Sequence, residues 1–228
     1  MMMPNLLKKL QSLKRGGARG QSFIEVAIFI PILLMMFTGV VEFGFLLNYY
    51  LNLVDGPREA ARFAVDISPF VGASTNDNPP FYTAVAGEAI TAIHPYTLNP
   101  ARDDVIVSVF SIRVTGTDTV TIVRYPTAAT LAGESALDNT PGEYHLYGHG
   151  GTCDPAADIT CHRTMFTAAD IEARLRQGTL PPSTGIILIE LFYDYPQVLK
   201  LPWILAIVPD PIPVSTYTIM PLPAAEPN

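Results

Sequence analysis

From Phe23 to Val41 the chain reads FIEVAIFIPILLMMFTGVV, a run in which Glu25 is the single charge. Apolar residues fall on every face of the helix this run predicts, so it has no wet side and is not an amphipathic core helix. At ~1.5 Å per residue it spans roughly 28 Å, about the hydrocarbon thickness of a bilayer. Beyond it the pattern turns amphipathic. Tyr49, Leu51 and Leu53, and then Arg58 to Val65, carry the helix on to about Asp66, with Gly56-Pro57 expected to loosen it. A cleaved secretory signal is the competing reading. The run exceeds the ~7–15 residues of a signal's apolar region, no A-x-A-like site follows, and a signal has no use for the extension.

After a linker rich in Gly, Ser, Asn and Pro (Ser68 to Pro80), alanines from Tyr82 to Ile93 predict a short helix. Alternating Val105, Val107 and Val109, then Val120 and Ile122, predict a hairpin turning at Gly116-Thr117-Asp118. Thr167 with Asp170 three residues on has capping-box spacing and announces a second helix ending at Gly178. Ile186 to Tyr195 is apolar enough for a central strand. Seven prolines after residue 201 confine any strand there, such as Ser215 to Met220, to an edge. The expected class is α+β, a mostly antiparallel sheet resting on the outer half of a long helix. The expected organisation is a leader (1–20), a helix (21–66), a linker (67–80) and an exported domain (81–228).

Composition sharpens this. The chain is 49% hydrophobic and only 15% charged, against roughly 25% charged for an ordinary soluble domain, and its mean hydropathy is positive. The net charge of −7 conceals an asymmetry: Lys8, Lys9, Lys14, Arg15 and Arg19 precede the span without an acid, leaving the rest strongly acidic. An acidic body excludes nucleic-acid binding there. Basic residues before the span predict a single-pass inner-membrane protein, N-terminus cytoplasmic and C-terminal domain outside.

Glu25 is costly in such a span, on the order of 2.5–3.5 kcal/mol at a helix centre and less near an end. It could snorkel to the interface. Its distance from Gly20 supports a sharper reading. A cut between Gly20 and Gln21 makes Glu25 the fifth mature residue, and the new amine of a neighbouring subunit is a suitable partner for its carboxylate. The basic leader, glycine, glutamate and apolar helix in this order resemble the processing signal of type IV pilins and pseudopilins. Gly20-Gln21-Ser22, Glu25, Pro31, Glu42-Phe43-Gly44 and Arg58-Glu59-Ala60-Ala61-Arg62 resemble, over residues 19–66, the TadE-like proteins of tight-adherence pilus systems. The resemblance implies processing at Gly20, Gln21 and Glu25 by a prepilin peptidase. It also implies assembly through Glu25 and Glu42 with other pilins and an assembly platform. Glu42 lies about 25 Å along the helix from Glu25, so the two cannot share a proton or a metal. Glu42 is expected to mark the outer interface, with Asn48, Tyr49 and Tyr50 as anchors.

Other chemistry is sparse. Cys153 and Cys161 are the only cysteines, and outside the cytoplasm a disulfide is the expected state. Zinc is the alternative, because His145, His149 and His162 lie close by, although their spacing matches no standard site. Glu190 and Asp194 share a strand face and are read as solvated or ladder-paired acids rather than a catalytic pair. Trp203 is read as core or as an anchor beside Leu199, Leu201 and Leu205. No nucleophile elbow, zinc-protease motif or P-loop occurs. The expectation is a non-enzymatic minor pilin or pseudopilin with no cofactor and no metal, touching membrane lipid and pilus partners. A membrane-anchored enzyme or metal-binding module is the alternative.

Overall fold

A computed structural model describes residues 17–72, 76–116, 119–127, 141–148, 161–176 and 183–227, the side chains from residue 23 onward. The chain divides into two compact units, one of residues 1–46 with 197–210, the other of 47–196 with 211–228. A single helix, α1 (Gly17–Val65), contributes to both.

In the first unit α1 is bare. Phe23, Ile24, Val26 and the apolar positions through Phe37 are all exposed, and no part of the most apolar window is buried. The helix is long and apolar enough to cross a membrane. The rest of this unit is the connection from residue 197 to 210, with one short helix, named α4 below.

The second unit is α+β. After α1 come α2 (Pro79–Ala92), β1 (Asp104–Thr115), β2 (Thr119–Tyr125), β3 (Tyr144–His145), α3 (Ala168–Leu175) and β4 (Thr184–Tyr195). The short helix α4 (Pro202–Leu205) belongs to the first unit; β5 (Ile212–Pro221) and a 3-10 turn at Pro223–Ala225 complete the second. The sheet is antiparallel throughout in the order β2-β1-β4-β5, with β3 also on β1. β1 and β2 form the expected hairpin, β4 is central and the proline-rich β5 is the edge.

The two central strands are buried on both faces, which is why β1 and β4 read as nearly continuous apolar runs. Phe110, Ile112 and Leu188 point to one face and pack with Phe166 and Ile171 of the α3 segment. That segment is fixed by the capping box: Thr167 and Asp170 bond each other's backbone N–H. Leu191, Tyr193 and Tyr195 point to the other face, where α1 lies. There Leu53, Ala60, Ala61 and Ala64 are fully buried at helical spacing, while Arg58 and Arg62 reach water and pair with Asp55 and Glu59.

Gly56-Pro57 does not loosen the helix, contrary to expectation; α1 runs through both residues. A Cβ at Gly56 would lie 2.6 Å from Ile93 Cγ2 and 3.0 Å from the Ala89 carbonyl, so glycine lets α1 approach α2. Pro57 cannot donate to the Leu53 carbonyl one turn back. The Thr216 hydroxyl on β5 donates to that oxygen instead, at 3.1 Å. A tertiary bond thus replaces the missing helical one.

Candidate functional site

The carboxylate of Glu25 leaves α1 among exposed apolar side chains and has no polar partner among the described residues. Gly20 and Gln21 lie within α1, where the backbone alone is described. The helix therefore presents an ionisable group on an otherwise apolar surface.

Glu42, expected to mark the outer interface, has its partners within the chain. It is buried, and its two carboxylate oxygens accept the backbone N–H groups of Val198 and Leu199, each at 2.8 Å. Two charge-assisted bonds offset the desolvation of the carboxylate. They also hold the 197–210 connection against the helix just past the apolar run. The neck of this loop is closed by Gln197. Its amide nitrogen donates to the carbonyls of Val208 (3.1 Å) and Pro209 (2.9 Å), and its backbone N–H donates to Asp210 Oδ1 (3.0 Å). Lys200 takes a left-handed φ of 45° at the bend and pairs with Asp210 at 3.3 Å. Trp203 is not core; it is 39% exposed on this loop.

The expected anchors also work inward. Asn48 Oδ1 accepts from the Tyr96 hydroxyl at 2.9 Å, and the Tyr49 ring packs against Tyr96, Tyr193 and Tyr195 at centroid distances of 4.2, 6.1 and 5.0 Å. Asn48 and Tyr50 remain exposed on the surface, and Tyr49 is half-buried.

A buried polar cluster that the sequence did not announce occupies the α3-side face of the sheet. His145 of β3 has no exposed surface; its Nδ1 lies 2.9 Å from Asp104 and its Nε2 3.1 Å from Glu143. The two carboxylates raise its pKa against the opposing effect of burial. Arg124 bonds the Ser108 hydroxyl at 2.9 Å and pairs with Glu143 at 3.5 Å. Gly142, with φ +90°, leaves room for the Arg124 stem, which a Cβ there would meet at 2.5 Å.

Glu190, expected to be solvated or ladder-paired, is fully buried on β4. Burial pushes its pKa up to about 7. It accepts from the Thr164 hydroxyl and the Met165 N–H (2.7 Å), tying the α3 segment to the sheet. Asp194 is separate from it and pairs with Arg102 at 3.1 Å.

Perturbed ionisable groups can mark catalysis. Here His145, Asp104 and Glu190 are wholly enclosed, and each is bonded to neighbouring protein groups, so the arrangement fixes loops to the sheet. Both ring nitrogens of His145 are engaged by carboxylates. His162 stacks on Phe192 at 4.7 Å and bonds the Arg102 carbonyl. Cys161 is buried and is not a free cysteine. Cys153 and His149 lie outside the described residues.

Comparison with known proteins locates the likeness on the helix. The model of the TadE-like protein family matches residues 20–62. No curated protein and no solved structure matches the chain. The matched segment holds Glu25, the bare apolar run, Glu42, and the Arg58–Arg62 stretch whose alanines pack inward. The TadE-like family is associated with tight-adherence pili, and over this segment the chain is similar to it.

Proposed function

We propose that this chain is a minor pilin or pseudopilin of a tight-adherence pilus or a related secretion filament. It enters the inner membrane with its N-terminus in the cytoplasm and is cut by a prepilin peptidase between Gly20 and Gln21. The observation that carries this reading is Glu25, an exposed carboxylate without a described partner on a bare apolar helix, five residues from Gly20. Cleavage places a positively charged amine at Gln21. In an assembly of such helices the amine of one subunit pairs with Glu25 of the next, and the apolar surfaces that face lipid before assembly face each other after it. The α+β unit then serves as the exported head, with Cys153 and Cys161 joined in a disulfide.

The test of processing is the intact mass of the protein extracted from its native membrane. The proposal expects a chain beginning at Gln21, and expects Gly20→Arg to leave the precursor uncut but inserted. Recovery of the Met1-containing chain from piliated cells would contradict it.

A further inference from the structure

Residues 198–208 read VLKLPWILAIV, with Lys200 the single charge, and that charge is paired with Asp210. An apolar segment of this kind between two strands is ordinarily a core element. Here Val198 is 47% exposed, Trp203 39%, Leu205 41% and Ile207 77%. The loop is nevertheless a built structure. Gln197 closes its neck, Lys200 turns its backbone, Pro202 starts a helical turn, and Glu42 grips two successive N–H groups. A closed loop holding apolar side chains outward needs an apolar medium to face.

Its place on the chain indicates which medium. Glu42 immediately follows Val41, the last residue of the apolar run, so the loop is fastened where the span leaves the hydrocarbon. On the same side of α1, Thr38 and Val41 are partly covered while their neighbours Phe37 and Val40 are bare. One tryptophan, short apolar side chains and one charge neutralised within the loop fit the headgroup–acyl boundary of a bilayer, where tryptophan is favoured. We propose that the 198–208 loop is a second membrane contact, seated in the boundary of the leaflet from which residue 42 emerges. It would fix the depth and rotation of α1, which a uniformly apolar helix cannot fix by itself. This requires that α1 spans a membrane and is independent of any role in a filament.

Trp203 is the only tryptophan of the chain, so its fluorescence reports this loop alone. The experiment places the full-length chain, one copy per disc, in lipid nanodiscs made with lipid brominated at shallow or deep acyl positions, and adds aqueous iodide in a parallel series. The proposal expects strong loss of Trp203 emission with shallow bromines, weaker loss with deep ones, and little effect of iodide. Emission indifferent to brominated lipid overturns the proposal. With iodide quenching, the loop then faces water; without it, protein covers the loop. Glu42→Gln, which keeps the side chain's shape but weakens the clasp, should reduce the shallow quenching, and the wild-type result stands as the test if that variant folds poorly.

Discussion

Pro57 and Thr216 are 159 positions apart in sequence and act on one atom. Proline withholds the N–H that the Leu53 carbonyl would receive within the helix, and the threonine hydroxyl donates to that oxygen at 3.1 Å. The edge strand is thereby bonded to the helix at the turn where the helix lacks its own bond.

Removing that hydroxyl should leave a buried carbonyl unsatisfied. Thr216→Val is expected to destabilise the second unit by about 1–3 kcal/mol. In a Pro57→Ala background the alanine N–H can serve the same carbonyl, so the same change should cost less, with a coupling of at least about 0.5 kcal/mol. Denaturant unfolding of the four full-length variants measures the cycle; equal costs in both backgrounds would refute the substitution of one bond for the other.

Stability should fall as pH rises through neutrality. Glu190 keeps its proton in the folded protein up to about 7, whereas the unfolded chain releases it near the ordinary carboxyl value. Its contribution is therefore complete below about 4.5 and is lost as pH climbs through about 7. His145, raised by Asp104 and Glu143, acts in the same direction: its contribution is complete below the ordinary imidazole value and is lost above the raised one. Glu143, held below the ordinary carboxyl range by His145 and Arg124 despite burial, opposes this only on the acid side. Full ionisation of Glu190 corresponds to a loss on the order of 3 kcal/mol. Melting temperature should thus drop between pH 5 and pH 8, roughly in the window these values define, and Glu190→Gln should flatten much of that drop. A wild-type profile that rises over this range would contradict the assignment.

Local signals made much of this fold legible. The charge-poor run gave the long helix, Thr167 with Asp170 the cap of α3, the valine alternation the hairpin, the apolar run from Ile186 to Tyr195 the central strand, and the prolines the edge strand. What escaped was every feature whose partner is distant. Glu42 is bonded to backbone N–H groups more than 150 residues away, and a backbone donor leaves no mark in side-chain patterning. Glu190 looks like a ladder-paired surface acid because strand alternation reports which face a residue takes, not what covers it. The alpha-helical continuity through Gly56-Pro57 was hidden for the same reason, since Thr216, Ala89 and Ile93 supply what those two residues lack.

For the cysteines, non-reducing mass mapping should return a peptide pair joined through Cys153 and Cys161 with no alkylated thiol. In the chain-entropy picture so short a loop contributes about 2.5 kcal/mol, so reduction should lower the melting temperature without abolishing the fold. Two free thiols carrying one zinc ion per chain would reverse the assignment.

Glu25→Ala tests the central claim most directly, because anchoring and assembly respond to it in opposite senses. As a lone anchor, α1 loses an unfavourable charge and inserts as well or better. In a filament, the change strands a neighbouring amine, at a cost of about 3–5 kcal/mol when buried. The measurement is co-purification with the other pilins, together with a count of pili, in cells expressing either form at matched level. The account predicts a stable, inserted Glu25→Ala protein that fails to co-purify and supports few pili; normal co-purification and normal pili would contradict it.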